Sequence, residues 1–280
     1  HGAEKTTWTE LASHPTAGAT ALELDGAPTA WDEGDRLVVP GMNPAENEDE
    51  ELFVTGIDGN QVTVDRSLDF DHVPPKSDLP SYVVNLDRTV RFESESQDIP
   101  RRGHVMFMSQ AVDVQYAGFY GLGRTDKSYA FTNPIHGTPP EDVPPNPRAR
   151  YALHFHKTGI DADDAQTVAG VAVDGSPGWG VVNHHSYVDV TDSVTHDVFG
   201  SGFVAEAGNE RGSFVGNFAL RSEGSGDLPD SRDFDSGRDE HDPGDVDDFG
   251  HGGHGFWFQG PALSIEDNVA AGHRHHGFVF

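Results

Sequence analysis

The feature that most limits what this chain can become is a recurring pair of glycine and an aromatic residue. Gly178-Trp179-Gly180-Val181-Val182, Gly202-Phe203-Val204-Ala205-Glu206, Gly255-Phe256-Trp257-Phe258-Gln259 and Gly277-Phe278-Val279-Phe280 each open a short apolar run. The first two start 24 residues apart and the last two 22, and the middle gap of 53 is one such period plus an insertion. Second strands follow in phase: Val188-Asp189-Val190 with Ser193-Val194, Ser213-Phe214-Val215 with Asn217-Phe218, and Leu263-Ser264-Ile265 with Asn268-Val269. This period, with two or three short strands in each, suits a parallel β-helix whose turns stack at ~4.8 Å. Leucine-rich repeats need a Leu consensus that is absent, and a propeller needs about 40 residues per blade.

Earlier turns are expected at His104-Val105-Met106-Phe107-Met108 with Val112-Asp113-Val114, and at Tyr151 to His156 with Val171-Ala172-Val173. No stretch carries apolar residues at helical spacing, so the chain reads as all-β. Before the repeats, Thr20–Leu24, Asp35–Val39, Glu51–Thr55 and Gln61–Val64 read as strands, the last two joined by an Asp58-Gly59-Asn60 turn. The expected division is a β-rich N-terminal region over 1–80 and a parallel β-helix over 81–280. Two insertions interrupt the coil. Residues 125–149 hold six prolines and residues 227–249 hold ten acids, so both read as surface loops. Phe280 falls early in a new turn, where further turns or a second chain would cover the end.

Asp and Glu number 47 against 18 Lys and Arg, a net charge of −29, and only four of the bases are lysines. That surface excludes nucleic acid as a partner, since its binding depends on basic side chains. Molar salt would screen the self-repulsion to ~3 Å, which points to a high-salt setting. Absent cysteine removes disulfides and thiolate chemistry, so any metal must be held by His, carboxylate or backbone. No run of ~18 apolar residues is available for membrane insertion.

Alternation along each strand supplies a candidate site. With Leu153 and Phe155 inward, His154 and His156 point out, ~6.6 Å apart. The same parity puts Val204 and Glu206 outward, Trp257 and Gln259 outward, His184 outward from inward Trp179 and Val181, and His104 outward beside inward Val105. One face thus carries His104, His154, His156 and His184 as ligands for a divalent transition ion such as zinc. A metal-free catalytic or sugar-binding cluster and a structural ladder of imidazoles remain the alternatives. Calcium in the acidic loop, around Asp233-Phe234-Asp235 and Asp245-Val246-Asp247-Asp248, is the weaker cofactor reading, because EF-hand spacing is missing. His251 and His254 read as turn packing, and His273, His275 and His276 as exposed.

His1-Gly2 with Thr7-Trp8-Thr9-Glu10-Leu11, Trp31-Asp32-Glu33-Gly34-Asp35 and Arg150-Tyr151-Ala152-Leu153-His154-Phe155-His156 resemble the G8-domain proteins. That family includes the animal cell-migration-inducing hyaluronan-binding protein and its transmembrane relative, with bacterial and archaeal β-helix members. Ser176-Pro177-Gly178-Trp179-Gly180, Glu206-Ala207-Gly208-Asn209-Glu210 and the stretch from Gly250 to Pro261 are similar to the prokaryotic members. The resemblance implies a secreted or surface-displayed right-handed β-helix, with a G8-like region before it, that handles hyaluronan or a similar acidic polysaccharide.

Two chemistries can be drawn on the outward face. In hydrolysis, Glu206 acts as general acid with Glu210 or Asp189 as the second carboxylate. In β-elimination from a uronic acid, His154 or His156 takes the C5 proton while Arg or a metal neutralises the carboxylate. Arg150 and Arg221 are the expected carboxylate partners, Trp257 a platform for a sugar ring, and Gln259 its polar neighbour. The competing readings are a non-catalytic glycan-binding or adhesive module and a structural solenoid segment of a larger surface protein.

Overall fold

The computed structural model describes residues 1–132, 145–161, 163–229, 231 and 248–280. An antiparallel sheet of six strands comes first, in the spatial order Trp8–Glu10, Tyr82–Asn85, Arg36–Val39, Glu50–Asp58, Gln61–Val64, Ala21–Glu23. Period-two alternation builds its core: Leu52 and Val54 are buried while Glu51, Phe53 and Thr55 face out. They pack with Leu22, Leu24, Leu37 and Val62. Asp58 pairs with Gln61 across the hairpin, and Gly59 there takes φ +62°, as such a two-residue turn requires. Because Tyr82–Asn85 belongs to this sheet, the change to parallel pairing falls after Asn85 and not at residue 80.

Glu50 is 2% exposed inside this unit. Its carboxylate accepts hydrogen bonds from the Asp69 and Phe70 backbone N–H groups, from His72 Nε2 at 3.0 Å and from Arg66 Nη1 at 2.7 Å. Burial alone would raise its pKa, but these donors outweigh it and hold the group below its ordinary value. A depressed native pKa means stability that is present above the unfolded value and lost as pH falls through the native one. Glu50→Gln is therefore expected to cost about 3 kcal/mol at neutral pH, with the gap to wild type closing in acid. Urea melts at both pH values check this, and a pH-independent gap would contradict it.

From Val90 onward all strand pairing is parallel, in three faces. The first face runs Val90–Glu93, Ala117–Tyr120, Ala172–Asp174, Val194–Val198, Phe218–Ser222, Val269–His273. The second holds Val105–Phe107, Leu153–Gly159, the start of Val181–Thr191, Ser201–Ala205, His254–Phe258 and Phe278–Val279. The third holds Asp113–Gln115, Gln166–Ala169, the end of Val181–Thr191, Arg211–Val215 and Leu263–Glu266. Among the described residues no helix is long and apolar enough to cross a membrane.

Stacked side chains hold successive coils together. Phe203 lies on Phe256 at 5.0 Å and Phe256 on Phe278 at 4.7 Å, all nearly parallel. At one corner an amide ladder runs up the coils: Asn217 Nδ2 donates to the Val190 carbonyl and Asn268 Nδ2 to the Phe214 carbonyl. The glycine column has a steric cause. A Cβ at Gly180, Gly202 or Gly255 would sit 2.5, 2.8 or 2.6 Å from the carbonyl oxygen of Gly202, Gly255 or Gly277. The first member of that column is thus Gly180 rather than Gly178, since Val181 pairs with Phe203. The two-residue shift preserves parity, so Val181 stays inside the coil. Trp179 does not: it packs outside with Tyr151, Val182, Val204 and Trp257.

The antiparallel sheet lies against the first face. Trp8 and Tyr82 meet Phe218 edge-on at 5.5 and 5.3 Å, among Val38, Val84, Leu86, Val194 and Leu220. Trp8 Nε1 donates to the Gly216 carbonyl, and Arg36 pairs with Asp174. The second face is left to carry the histidines.

Candidate functional site

Backbone register assembles the site. His156 pairs with His184 across Leu153–Gly159 and Val181–Thr191, and Asn183 with Ala205, so Glu206 follows beneath His184. His154 stands two residues back on the same face, in the row of Val182, Val204 and Trp257. Both histidine strands bend just beyond this row, where Lys157 and His185 take left-handed φ of 52° and 48°. The rings therefore gather at the corner between the second and third faces. His154 and His184 are nearly parallel with centroids 5.8 Å apart, and His156 stands perpendicular to both at 4.9 and 4.8 Å. One nitrogen from each of the three lies within 4.8 Å of the others. Glu206 Oε1 is 3.7 Å from His154 Nε2 and in contact with His184 Nδ1.

Protonation is legible from these contacts. His154 is fully buried, and its Nδ1 meets the Ala149 carbonyl at 3.2 Å. A carbonyl only accepts, so Nδ1 carries the proton and Nε2 of the neutral ring presents a lone pair. Burial pushes this histidine down to about 4. His156 is lowered by burial and by His184 and Lys157. Burial would lower His184 as well, but Glu206 overrides it and raises the group. Glu206 is lowered, because His184, His154 and Lys127 outweigh the burial that opposes its charge. The site holds an ionised carboxylate that favours the protonated form of His184, beside neutral His154 and His156, and His154 Nε2 and His156 Nδ1 are buried without a hydrogen-bond partner.

The centre opens into a cleft of about 470 Å³ whose lining includes Lys127, Arg148, Arg150 and Lys157. Glu206 is the one carboxylate lining it among the described residues. Lys127 is committed elsewhere: its Nζ donates to Asp248 Oδ1 and to the Phe249 carbonyl, both at 2.6 Å. Tyr151 and Trp179, stacked at 4.3 Å, form the apolar wall.

Of the expected residues, His154, His156, His184 and Glu206 come together as alternation placed them, with Arg150 on the lining of the adjoining cleft, at a corner and not on an open strip. His104 does not join them. Val105 pairs with Leu153, so Met106 occupies the position over His154, and His104 lies two residues out of phase, lowered to about 4 by burial, Arg124 and Arg150. Trp257 does leave the coil interior, yet it is 3% exposed under Phe249 and Trp179, and offers no ring face to a sugar. Arg221 is on the first face, paired with Asp49, which precedes the Glu50–Asp58 strand. Gln259 is exposed one coil below Glu206, its N–H donating to the Ala205 carbonyl, and lies outside the cleft lining.

Glu210 is spent on structure: it is fully buried and accepts from the backbone N–H groups of His185, Ala207 and Gly208. Asp189 accepts from Ser213 Oγ on the third face. The calcium expectation falls on residues 233, 235, 245 and 247, which lie outside the described residues, while Asp248 serves Lys127. His273 is not exposed but hydrogen-bonded to Ser222 Oγ and the Ala219 carbonyl. Sequence reasoning missed Lys127, Arg148 and Lys157 in the cleft. The available signal was scarcity, since two of only four lysines sit here.

The family comparison agrees with the fold. Residues 146–280 match the family described as CEMIP beta-helix. No curated protein gives a significant match. Similar solved structures include the tailspike gp49 from Pseudomonas phage LKA1, 10% identical with a TM-score of 0.25 over 96% of this chain and 31% of that one. The Gp54 tailspike of Acinetobacter baumannii bacteriophage AP22, in complex with A. baumannii capsular saccharide, is 10% identical with a TM-score of 0.26, over 77% of this chain and 39% of its own. The Pseudomonas phage phi297 tailspike gp61 is 10% identical with a TM-score of 0.25, over 95% and 57%. This chain spans between about a third and somewhat over half of those proteins' lengths. The β-helical part that builds the histidine centre, residues 146–280, is similar to the CEMIP beta-helix family.

Proposed function

We propose that the cleft binds an acidic polysaccharide, of the uronic-acid class to which hyaluronan belongs, and that the histidine centre cleaves it. The observation that carries this reading is a basic cleft on a molecule of net charge −29. With Lys127 held by Asp248, Arg148, Arg150 and Lys157 remain to meet a polyanion that the rest of the surface repels. An extracellular, high-salt setting follows from that substrate and from the acid-rich composition. Arg150→Ala is expected to weaken binding of hyaluronan or alginate fragments about tenfold or more, measured by calorimetry in ~1 M salt with neutral dextran as control. Equal affinity for dextran would defeat the reading.

The donor set suits a divalent transition ion. Two buried, unpartnered ring nitrogens face a third imidazole and a carboxylate, and buried polar atoms without partners call for a ligand. His154, His156 and His184 would hold the ion, and bound there it would supply Lewis acidity toward a uronate carboxylate or glycosidic oxygen. The chain's own residues favour elimination over hydrolysis. Glu206 is kept ionised and is unsuited to donate a proton, and Glu210 is occupied by backbone. The cleft therefore offers a proton acceptor, ionised Glu206, beside the Arg150 and Lys157 cations that would stabilise charge at the substrate carboxylate. Elimination leaves an unsaturated uronate at each new non-reducing end, so its ultraviolet absorbance should rise in step with chain cleavage. New reducing ends without that absorbance would instead indicate hydrolysis.

A further inference from the structure

The turn that leads into the last strand brings a second set of imidazoles together. His254 opens the strand His254–Phe258. Phe256 pairs with Phe278, and the Gly255 N–H donates to the His276 carbonyl, so His276 lies directly across from His254 on the next coil, with His275 beside it. The rings are close: His254 to His276 is 5.6 Å and nearly parallel, His254 to His275 is 5.3 Å, and His275 to His276 is 3.9 Å. One nitrogen from each lies within 4.8 Å of the others. His254 is fully buried, and neither of its ring nitrogens has a hydrogen-bond partner, nor does the buried Nδ1 of His275. Three orphaned nitrogens in one spot are costly unless something occupies them.

We infer that His254, His275 and His276 form a second divalent transition-metal site, which clamps two successive coils of the β-helix. Three imidazoles with no carboxylate or thiolate among them select zinc, copper, nickel or cobalt over calcium or magnesium. Burial and the neighbouring histidines push His254 down to about 3, so its ring is neutral and able to coordinate without losing a proton. Gly252 leaves the room this ring needs, because a Cβ there would lie 2.6 Å from His254 Nε2. The site is separate from the cleft. Glu206 is aligned with Gln259, five residues or ~16 Å along the strand from the row of His254, and the two histidine groups share no residue. A clamp across coils links metal binding to stability by mass action.

The test is zinc stoichiometry on the full chain, stripped with chelator, dialysed against zinc chloride and read by elemental analysis. Wild type should hold two equivalents. A variant carrying His275→Ala and His276→Ala should hold one fewer, and should lose most of the zinc-induced rise in Tm. A variant carrying His154→Ala and His184→Ala should keep the clamp's equivalent, so failure of the cleft reading leaves this one intact. His276→Gln, at an exposed position, should weaken the clamp at least tenfold. Unchanged zinc content and unchanged Tm response in the His275, His276 variant, or unchanged affinity in His276→Gln, would overturn the assignment.

Discussion

His184→Ala is expected to lower polysaccharide cleavage by ~10²–10⁴-fold, the range for losing a group that handles protons or charge at a reacting centre, while leaving polysaccharide affinity within a few-fold of wild type. The split follows from position. His184 lies between His156, its register partner, and Glu206, so its loss removes one imidazole from the centre and the main group that keeps Glu206 ionised. Arg150 and Lys157, which would hold the polymer, stay in place on the cleft wall. His104→Ala serves as the control, since that ring is out of phase with the cluster and should change cleavage little. The measurement is initial rate and affinity on one polymer, together with bound zinc, which should fall by one equivalent in His184→Ala only. Full cleavage by His184→Ala would remove the centre from the mechanism, and a loss of affinity equal to the loss of rate would make His184 a binding residue.

Parity along strands was legible and covering was not. The Gly-aromatic repeat located the coils because a Cβ at Gly180, Gly202 or Gly255 would run into the carbonyl of the next coil, and alternation then assigned His154, His156, His184 and Glu206 to one side. Reading Gly178 in place of Gly180 cost nothing there, because a shift of two residues returns the same face. The same rule misjudged His104, where a slip of two residues along the strand decides which side chain stacks over which. It also left Trp257 looking available. Whether an outward side chain meets water depends on what the loops lay over it, and Phe249, at the end of an acidic insertion with no periodicity of its own, supplies that cover. The convergence of His254 with His275 and His276 was hidden for a related reason: the turn between His273 and Gly277 follows no strand period that sequence could extend.

Lys127→Met should be the most damaging single change to the architecture of the cleft, costing ~3–5 kcal/mol because it removes the ammonium that pairs with the buried Asp248 carboxylate. Lys127 has no exposed surface, and neither does Asp248. The ammonium sits 4.4 Å from the Phe131 ring and 4.3 Å from that of Trp179, with Asp248 at 2.6 Å, so one side chain ties the ends of both insertions to the aromatic wall behind the histidines. Methionine fills much of the volume but leaves the Asp248 carboxylate without its ammonium. Removing both charges together, as Lys127→Met with Asp248→Leu, should recover most of the loss, since a buried pair is worth far less in total than the penalty for breaking it. Lys76→Met, at an exposed position, should stay within about 0.5 kcal/mol of wild type. Denaturant and thermal melts of wild type and the three variants make the comparison, and Tm should fall by roughly 10 °C in Lys127→Met. If Lys127→Met melts with wild type, the pair is not holding the insertions. If the double variant is no better than the single one, the ammonium is needed for its contacts with Phe131 and Trp179 and not for neutralising Asp248.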